Sequence, residues 1–172
     1  LTGTCIDWLR TEPFPFAGAN VCVHNADPAN CAEIGADGVF TLSLATESAI
    51  NLTFEGAGAY PSIYPVGTGS EDIAWNFTMV AEAAGDAVIQ GFPGVEAADE
   101  TKGHMAVYAA AGDLNRGVSG AVFTTTPETA NGFKYFDNFG LSADAEASTF
   151  SGNAVSPNIE PGDYTVAATA PG

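Results

Sequence analysis

The sequence predicts an all-β protein of two tandem antiparallel β-sandwich modules with a short helix-containing junction, and three observations point there. The first is a hydrophobic period of two. Ile50, Leu52 and Phe54 alternate with Asn51, Thr53 and Glu55; Phe40, Leu42 and Leu44 alternate with Thr41 and Ser43; Tyr164 and Val166 flank Thr165. This is the pattern of strands with one buried face. The second is punctuation by turn formers at Ala36-Asp37-Gly38, Gly56-Ala57-Gly58, Gly67-Thr68-Gly69, Asn131-Gly132 and Pro161-Gly162, close to the spacing of a sandwich. The third is repetition. Gly18-Ala19-Asn20-Val21 followed by Ala36-Asp37-Gly38-Val39-Phe40 is echoed by Gly120-Ala121-Val122-Phe123 followed by Phe150-Ser151-Gly152-Asn153-Ala154. Gly3 to Gly103 is a step of 100, Gly18 to Gly120 one of 102 and Gly38 to Gly152 one of 114. The units therefore start in step, and the second carries an insertion.

Residues 1–78 form the first expected module, opening with the strand Gly3-Thr4-Cys5-Ile6-Asp7. Cys22 and Cys31 bracket a loop rich in turn formers (His24, Asn25, Asp27, Pro28, Asn30), so they are placed to face each other across a hairpin and form a disulfide. The alternative is two buried thiols in a reducing compartment. Cys5 is then left over, as a strand residue or as a competing partner for Cys22 or Cys31. Residues 79–102 are the junction. Val80, Ala83, Ala84, Ala87 and Val88 share one face of a helix over residues 79–90, which Gly91, Pro93 and Gly94 stop. Residues 97–102 read as a solvated connector, and residues 103–172 form a second sandwich of similar type.

Charge excludes some functions. The chain has 172 residues, with 21 Asp and Glu against four cations, Arg10, Lys102, Arg116 and Lys134, for a formal net charge of −17. A nucleic-acid or anionic-membrane binder needs clustered Lys and Arg, so no nucleic-acid partner is expected. A hydrophobic share of 46 % with 15 % charged residues is too apolar for a disordered acidic tail. No stretch reaches the ~20 apolar residues of a membrane helix, so no membrane insertion is expected. The chain opens without a basic region and apolar signal core, as a mature or trimmed form would, or a protein that never had a signal; of these we expect a secreted or cell-surface protein whose signal peptide is already removed.

The opening strand, Pro15-Phe16-Ala17-Gly18-Ala19-Asn20-Val21 and Ala36-Asp37-Gly38-Val39-Phe40-Thr41-Leu42 together resemble the carboxypeptidase regulatory-like family. The second half is similar to the same superfamily through Val118-Ser119-Gly120-Ala121-Val122 and Ile159-Glu160-Pro161-Gly162-Asp163-Tyr164-Thr165-Val166. The resemblance implies transthyretin/Ig-like β-sandwiches of about seven strands in tandem, usually non-catalytic. The Cys22 and Cys31 pair resembles a variant found in secreted and surface proteins of environmental bacteria. Ser151-Gly152-Asn153-Ala154 stands where the Asp-Gly-x-Phe turn is expected, a departure in the second half.

The catalytic inventory is thin. His24 and His104 are the only histidines, no serine sits in Gly-x-Ser-x-Gly, and no paired-His spacing for a metal occurs. Asp99/Glu100, Glu71/Asp72 and Asp144/Glu146 are paired carboxylates by sequence proximity, more simply read as a solvated acidic face. We expect no enzyme activity and no cofactor. Calcium is the one ion considered, through Asp113 and Asn115 of Asp113-Leu114-Asn115-Arg116-Gly117, which lacks the further acidic ligands of a calcium loop. The insertion at residues 127–140 brings Phe133, Tyr135, Phe136 and Phe139 together. They are the candidate ligand or partner contacts, stacking on polysaccharide or docking a protein; the alternative, which the pattern favours, is an extra strand filling the core. The expected function is a non-catalytic structural or adhesion protein of the cell surface, a module or repeating filament subunit, with copies of itself or other surface proteins as partners. A carbohydrate-binding accessory module is the second reading. Donor-strand exchange would need a spare apolar terminal strand, and none is expected, so a polymer would have to stack faces or swap an internal strand.

Overall fold

The structure, a computed structural model, describes residues 1–7, 18–27, 29–56, 58–111, 116–137, 140–141 and 145–171. It is β-rich, with thirteen strands and one short helix among these residues. By internal contacts it divides into two compact units, Leu1–Gly85 and Asp86–Gly172, each described by itself.

The first unit holds strands β1 (Thr2–Asp7), β2 (Asn20–Val23), β3 (Cys31–Glu33), β4 (Val39–Thr41), β5 (Ala49–Glu55), β6 (Ser62–Gly67) and β7 (Ala74–Met79). They form two sheets, ordered β4-β1-β7 and β3-β2-β5-β6. Inward residues of both sheets meet in one core: Cys5, Phe40, Phe77 and Met79 from the first, Val21, Leu52, Phe54 and Val66 from the second. The period-two strands supply these positions because alternate side chains leave a strand on opposite faces. Phe54 is packed edge-on by Phe40 and Tyr64, with ring centroids 5.7 and 5.5 Å away, a favoured arrangement of aromatic quadrupoles. Gly3 lies beneath the Phe40 ring, where a Cβ would overlap it, so its small size is a packing requirement. The Tyr64 hydroxyl donates to the Thr78 carbonyl, satisfying the polar end of a largely apolar ring.

Two expectations are corrected in this unit. The sheets are not wholly antiparallel: β1 pairs with β7 in parallel along its whole length, from Thr2↔Ala74 to Asp7↔Met79. The long intervening chain supplies the crossover that a parallel pair requires. The helix α1 runs Glu82–Gly91 rather than from residue 79, because Met79 is claimed by β7, where it pairs with Asp7 and is fully buried. The helix ends one residue later than expected, taking in Gly91, with Gly94 at a φ of 72° just beyond Pro93, a left-handed conformation that glycine takes without strain.

The second unit holds β8 (Gly103–Tyr108), β9 (Val122–Thr126), β10 (Lys134–Asp137), β11 (Gly140–Leu141), β12 (Asn153–Ile159) and β13 (Thr165–Thr169). A four-stranded sheet is ordered β11-β10-β12-β8, and β13 pairs with β9 as a two-stranded ribbon. The core is smaller, built on Ala121, Phe123, Tyr135 and Ala154 with Val107, Val118 and Phe133 against it. Ser148 ties the loop before β9 to this core: its hydroxyl accepts from Ala121 N–H at 2.9 Å and donates to Val118 O at 2.6 Å.

The units share two pairings in the same chain order. The first strand pairs antiparallel with the strand after the glycine turn, β1 with β4 and β8 with β12. The second pairs antiparallel with the strand that follows, β2 with β5 and β9 with β13. They diverge elsewhere. The inserted β10 and β11 extend the far side of β12, and no strand among the described residues of the second unit stands where β6 and β7 flank β5 and β1. The connector, residues 97–102, is exposed or half-buried and is also tied down: buried Asn158 donates from Nδ2 to Ala97 O and accepts from Asp99 N–H, each at 3.1 Å.

Candidate functional site

The sequence candidates do not converge on one site. Cys22 and Cys31 are bonded, with Cα atoms 4.0 Å apart, because β2 and β3 place them directly opposite in register. Cys5 is a free, fully buried thiol, and burial pushes its pKa up to about 12, which keeps it protonated and poorly nucleophilic.

His24 sits exposed in the turn after β2, on the rim of an open surface depression of about 520 Å³ that it shares with Asn25, Ile50, Asn51 and Pro65. That lining contains no carboxylate, so no acid–base partner faces the imidazole there. His104 is half-buried on β8, where its Nδ1 accepts the Asn158 N–H at 3.1 Å. Burial holds its pKa below the ordinary value, and attraction from Asp86 opposes that only in part.

The carboxylate pairs are dispersed. Asp99 is engaged locally, accepting from the Thr101 N–H at 2.9 Å and hydroxyl at 2.6 Å, and these donors lower its pKa. Lys102 stands 2.9 Å from Glu160 and 4.0 Å from Asp99. Glu71 and Asp72 line a second open depression, with Leu44, Thr46 and Ser70 among its neighbours. Asp144 lies outside the described residues, as do Asp113 and Asn115 of the calcium candidate. Among the described residues no cluster of three or more His, Cys, Asp or Glu is arranged to hold a metal ion.

The aromatic insertion forms a strand. Tyr135 is buried on β10, and its hydroxyl accepts the Phe123 N–H at 2.9 Å. Phe133 packs on Phe123 with centroids 5.5 Å apart, and Phe136 meets Phe92 at 5.5 Å. These three make packing contacts, with Tyr135 buried and Phe133 and Phe136 half-buried; Phe139 lies outside the described residues.

What sequence reasoning missed is the β9–β13 ribbon. The alternation of Tyr164 and Val166 suggested a closing strand over a core, but β13 is exposed at every residue. Opposite pairs run from Thr165↔Thr126 to Thr169↔Val122, so Val166 and Ala168 share a face with the buried Phe123 and Thr125. Yet Val166 remains 41 % exposed, and among the described residues no strand pairs with the outer edge of β13. Neither strand carries a charged side chain, in a chain whose net charge is −17. The result is a bare, neutral, partly apolar sheet edge, a surface able to accept another strand.

No family model, curated protein or solved structure matches the chain. No helix among the described residues is long and apolar enough to cross a membrane.

Proposed function

We propose that this protein is a non-catalytic structural or adhesion component of the cell exterior, a tandem β-sandwich of the carboxypeptidase regulatory-like type that serves as a repeating subunit of a surface assembly. The observation that carries the reading is the bare β9–β13 ribbon. A two-stranded ribbon is marginal by itself, and an uncovered neutral edge on a strongly acidic protein is a natural contact surface. The Cys22–Cys31 bond supports an oxidising compartment. The two sheets meeting on one core in the first unit, and the pairings repeated in the second, support the tandem-sandwich description. The polysaccharide-binding alternative rested on Phe133, Tyr135, Phe136 and Phe139; the three described members are engaged in packing, which leaves the structural reading ahead.

The test is to isolate the protein from its native surface and to measure its mass against concentration by sedimentation, with electron microscopy of the concentrated sample. Reversible association or ordered polymers are expected. A chain that stays monomeric under all conditions, or that turns over a substrate, would overturn the reading.

A further inference from the structure

We infer that the β13 edge pairs with β13 of a second copy of this chain, antiparallel and about a two-fold axis through Ala167; this rests on the assembly reading above and specifies its first contact. In an antiparallel ladder, residues along a strand alternate between bonding their partner and pointing away from it. The Phe123 N–H points away from β13, since it donates to the Tyr135 hydroxyl. Its opposite number Ala168, and Val166 two residues before it, therefore turn their N–H and C=O groups outward. Ala167, between them, bonds inward to β9.

That phase limits the register to pairings of outward with outward residues, and full overlap of the five-residue strand Thr165–Thr169 with its copy then selects Ala167. With the axis at Ala167, each outward Val166 faces an outward Ala168 of the second copy, and the two exchange both hydrogen bonds. Ala167 meets Ala167 as a close, non-bonded pair, and Thr165 meets Thr169, a favourable cross-strand combination. No charged residue opposes another. The Asp163 carboxylates fall at opposite ends of the pairing, about 26 Å apart at the rise of an extended strand, several Debye lengths at physiological salt.

Two further observations favour this occupant. The corresponding strand of the first unit, β5, already carries an antiparallel neighbour on its outer edge, β6. Like-charged copies must also meet through a neutral surface, and two of the other strands at sheet margins are less suited: β6 contains Pro65, and β3 carries Glu33. Pairing joins two marginal ribbons into one four-stranded sheet, β9-β13-β13-β9. A two-fold contact closes on itself, so a filament would need a second, different interface.

The full chain is followed by sedimentation at 0.15 and 1 M sodium chloride, with three single variants. Ala167→Asp places like charges face to face and is expected to raise the dimer dissociation constant about tenfold or more. Asn51→Asp, on an exposed position of β5, adds the same charge elsewhere and should leave the dimer in place. Ala167→Cys should form an interchain disulfide under mild oxidation, its Cα atoms being about 4.5 Å apart in a close pair. Thr165→Cys, displaced from its own copy by four residues, should not. If the wild type associates while Ala167→Asp associates equally well, or if Cys at 165 cross-links as readily as at 167, the β13 pairing is wrong and the assembly reading survives. If the wild type never associates, both fall. Should Ala167→Asp fail to fold, the cysteine pair decides.

Discussion

The Asn158 N–H donates to Nδ1 of His104 across 3.1 Å, which holds the imidazole neutral with its proton on Nε2. The same Asn158 grips the connector through Ala97 and Asp99, so one residue at the irregularity in β12 links β8, β12 and the chain before β8. An imidazolium has no acceptor at Nδ1, and protonation breaks the first of these bonds. Because the folded pKa of His104 lies below its ordinary value near 6.5, the unfolded chain binds the proton more readily. The stabilisation is complete above about pH 7 and is lost as pH falls through the depressed folded value. His104→Asn keeps an acceptor near the Nδ1 position without titrating, so it should flatten the stability profile of the second unit as pH falls below about 7. Denaturant titrations of both proteins across that window check this; equal slopes would refute it.

Asn158 adopts a φ of 51°, a left-handed conformation that asparagine tolerates and alanine resists. Its side chain also satisfies two backbone groups in a buried setting. Replacing it with glycine removes the tether but not the conformation, while alanine removes both. The expected order of stability is wild type, then Asn158→Gly, then Asn158→Ala, with alanine about 2–4 kcal/mol below wild type. Chemical denaturation gives the order, and alanine equal to or above glycine would show that the conformation is not strained.

The Cys22–Cys31 bond closes a loop with a sequence separation of 9. Restricting the unfolded chain by that amount stabilises the first unit by about 2–3 kcal/mol. Reduction, or the double change Cys22→Ala with Cys31→Ala, should lower unfolding of the first unit by that much and leave the second unit unmoved. Calorimetry with and without reductant reads both transitions. Peptide mapping should find Cys5 unbonded, and it should resist alkylation until the unit unfolds, since its thiol is buried and its pKa is about 12. Rapid alkylation of the native protein would contradict the packing described for β1.

Much of the strand content was legible because alternation records which face a residue occupies. Leu52 and Phe54 are fully buried and Asn51 exposed, as the period of two requires. The cysteine hairpin was legible because its turn formers fix a short loop. The parallel partnership of β1 and β7 was not, since alternation is blind to strand direction. The exposure of Val166 was hidden for a related reason: the pattern says which way a side chain points, and only tertiary structure says whether anything covers it. Asn158 left no trace, because a buried asparagine at an irregularity looks like any loop residue in sequence. The β9–β13 ribbon was therefore visible as strands and invisible as a surface.

The charge yields the last prediction. Folding gathers carboxylates that repel one another, and a net charge of −17 leaves few cations to offset them. Lys102 serves two acids at once, 2.9 Å from Glu160 and 4.0 Å from Asp99, but exposed pairs of this kind contribute little. Salt shortens the reach of surface repulsion from ~8 Å at physiological strength to ~3 Å at 1 M. Apolar burial around Phe54 and Phe123 is untouched or slightly strengthened by the same change. The melting temperature should therefore rise steadily with sodium chloride. Association should strengthen with it, because two copies of like charge must approach to pair along the neutral β13 edge. Calcium at matched ionic strength should add no more than sodium does. A melting temperature that is flat or falling up to 1 M would remove the electrostatic argument, and a large gain from millimolar calcium would reveal a specific site.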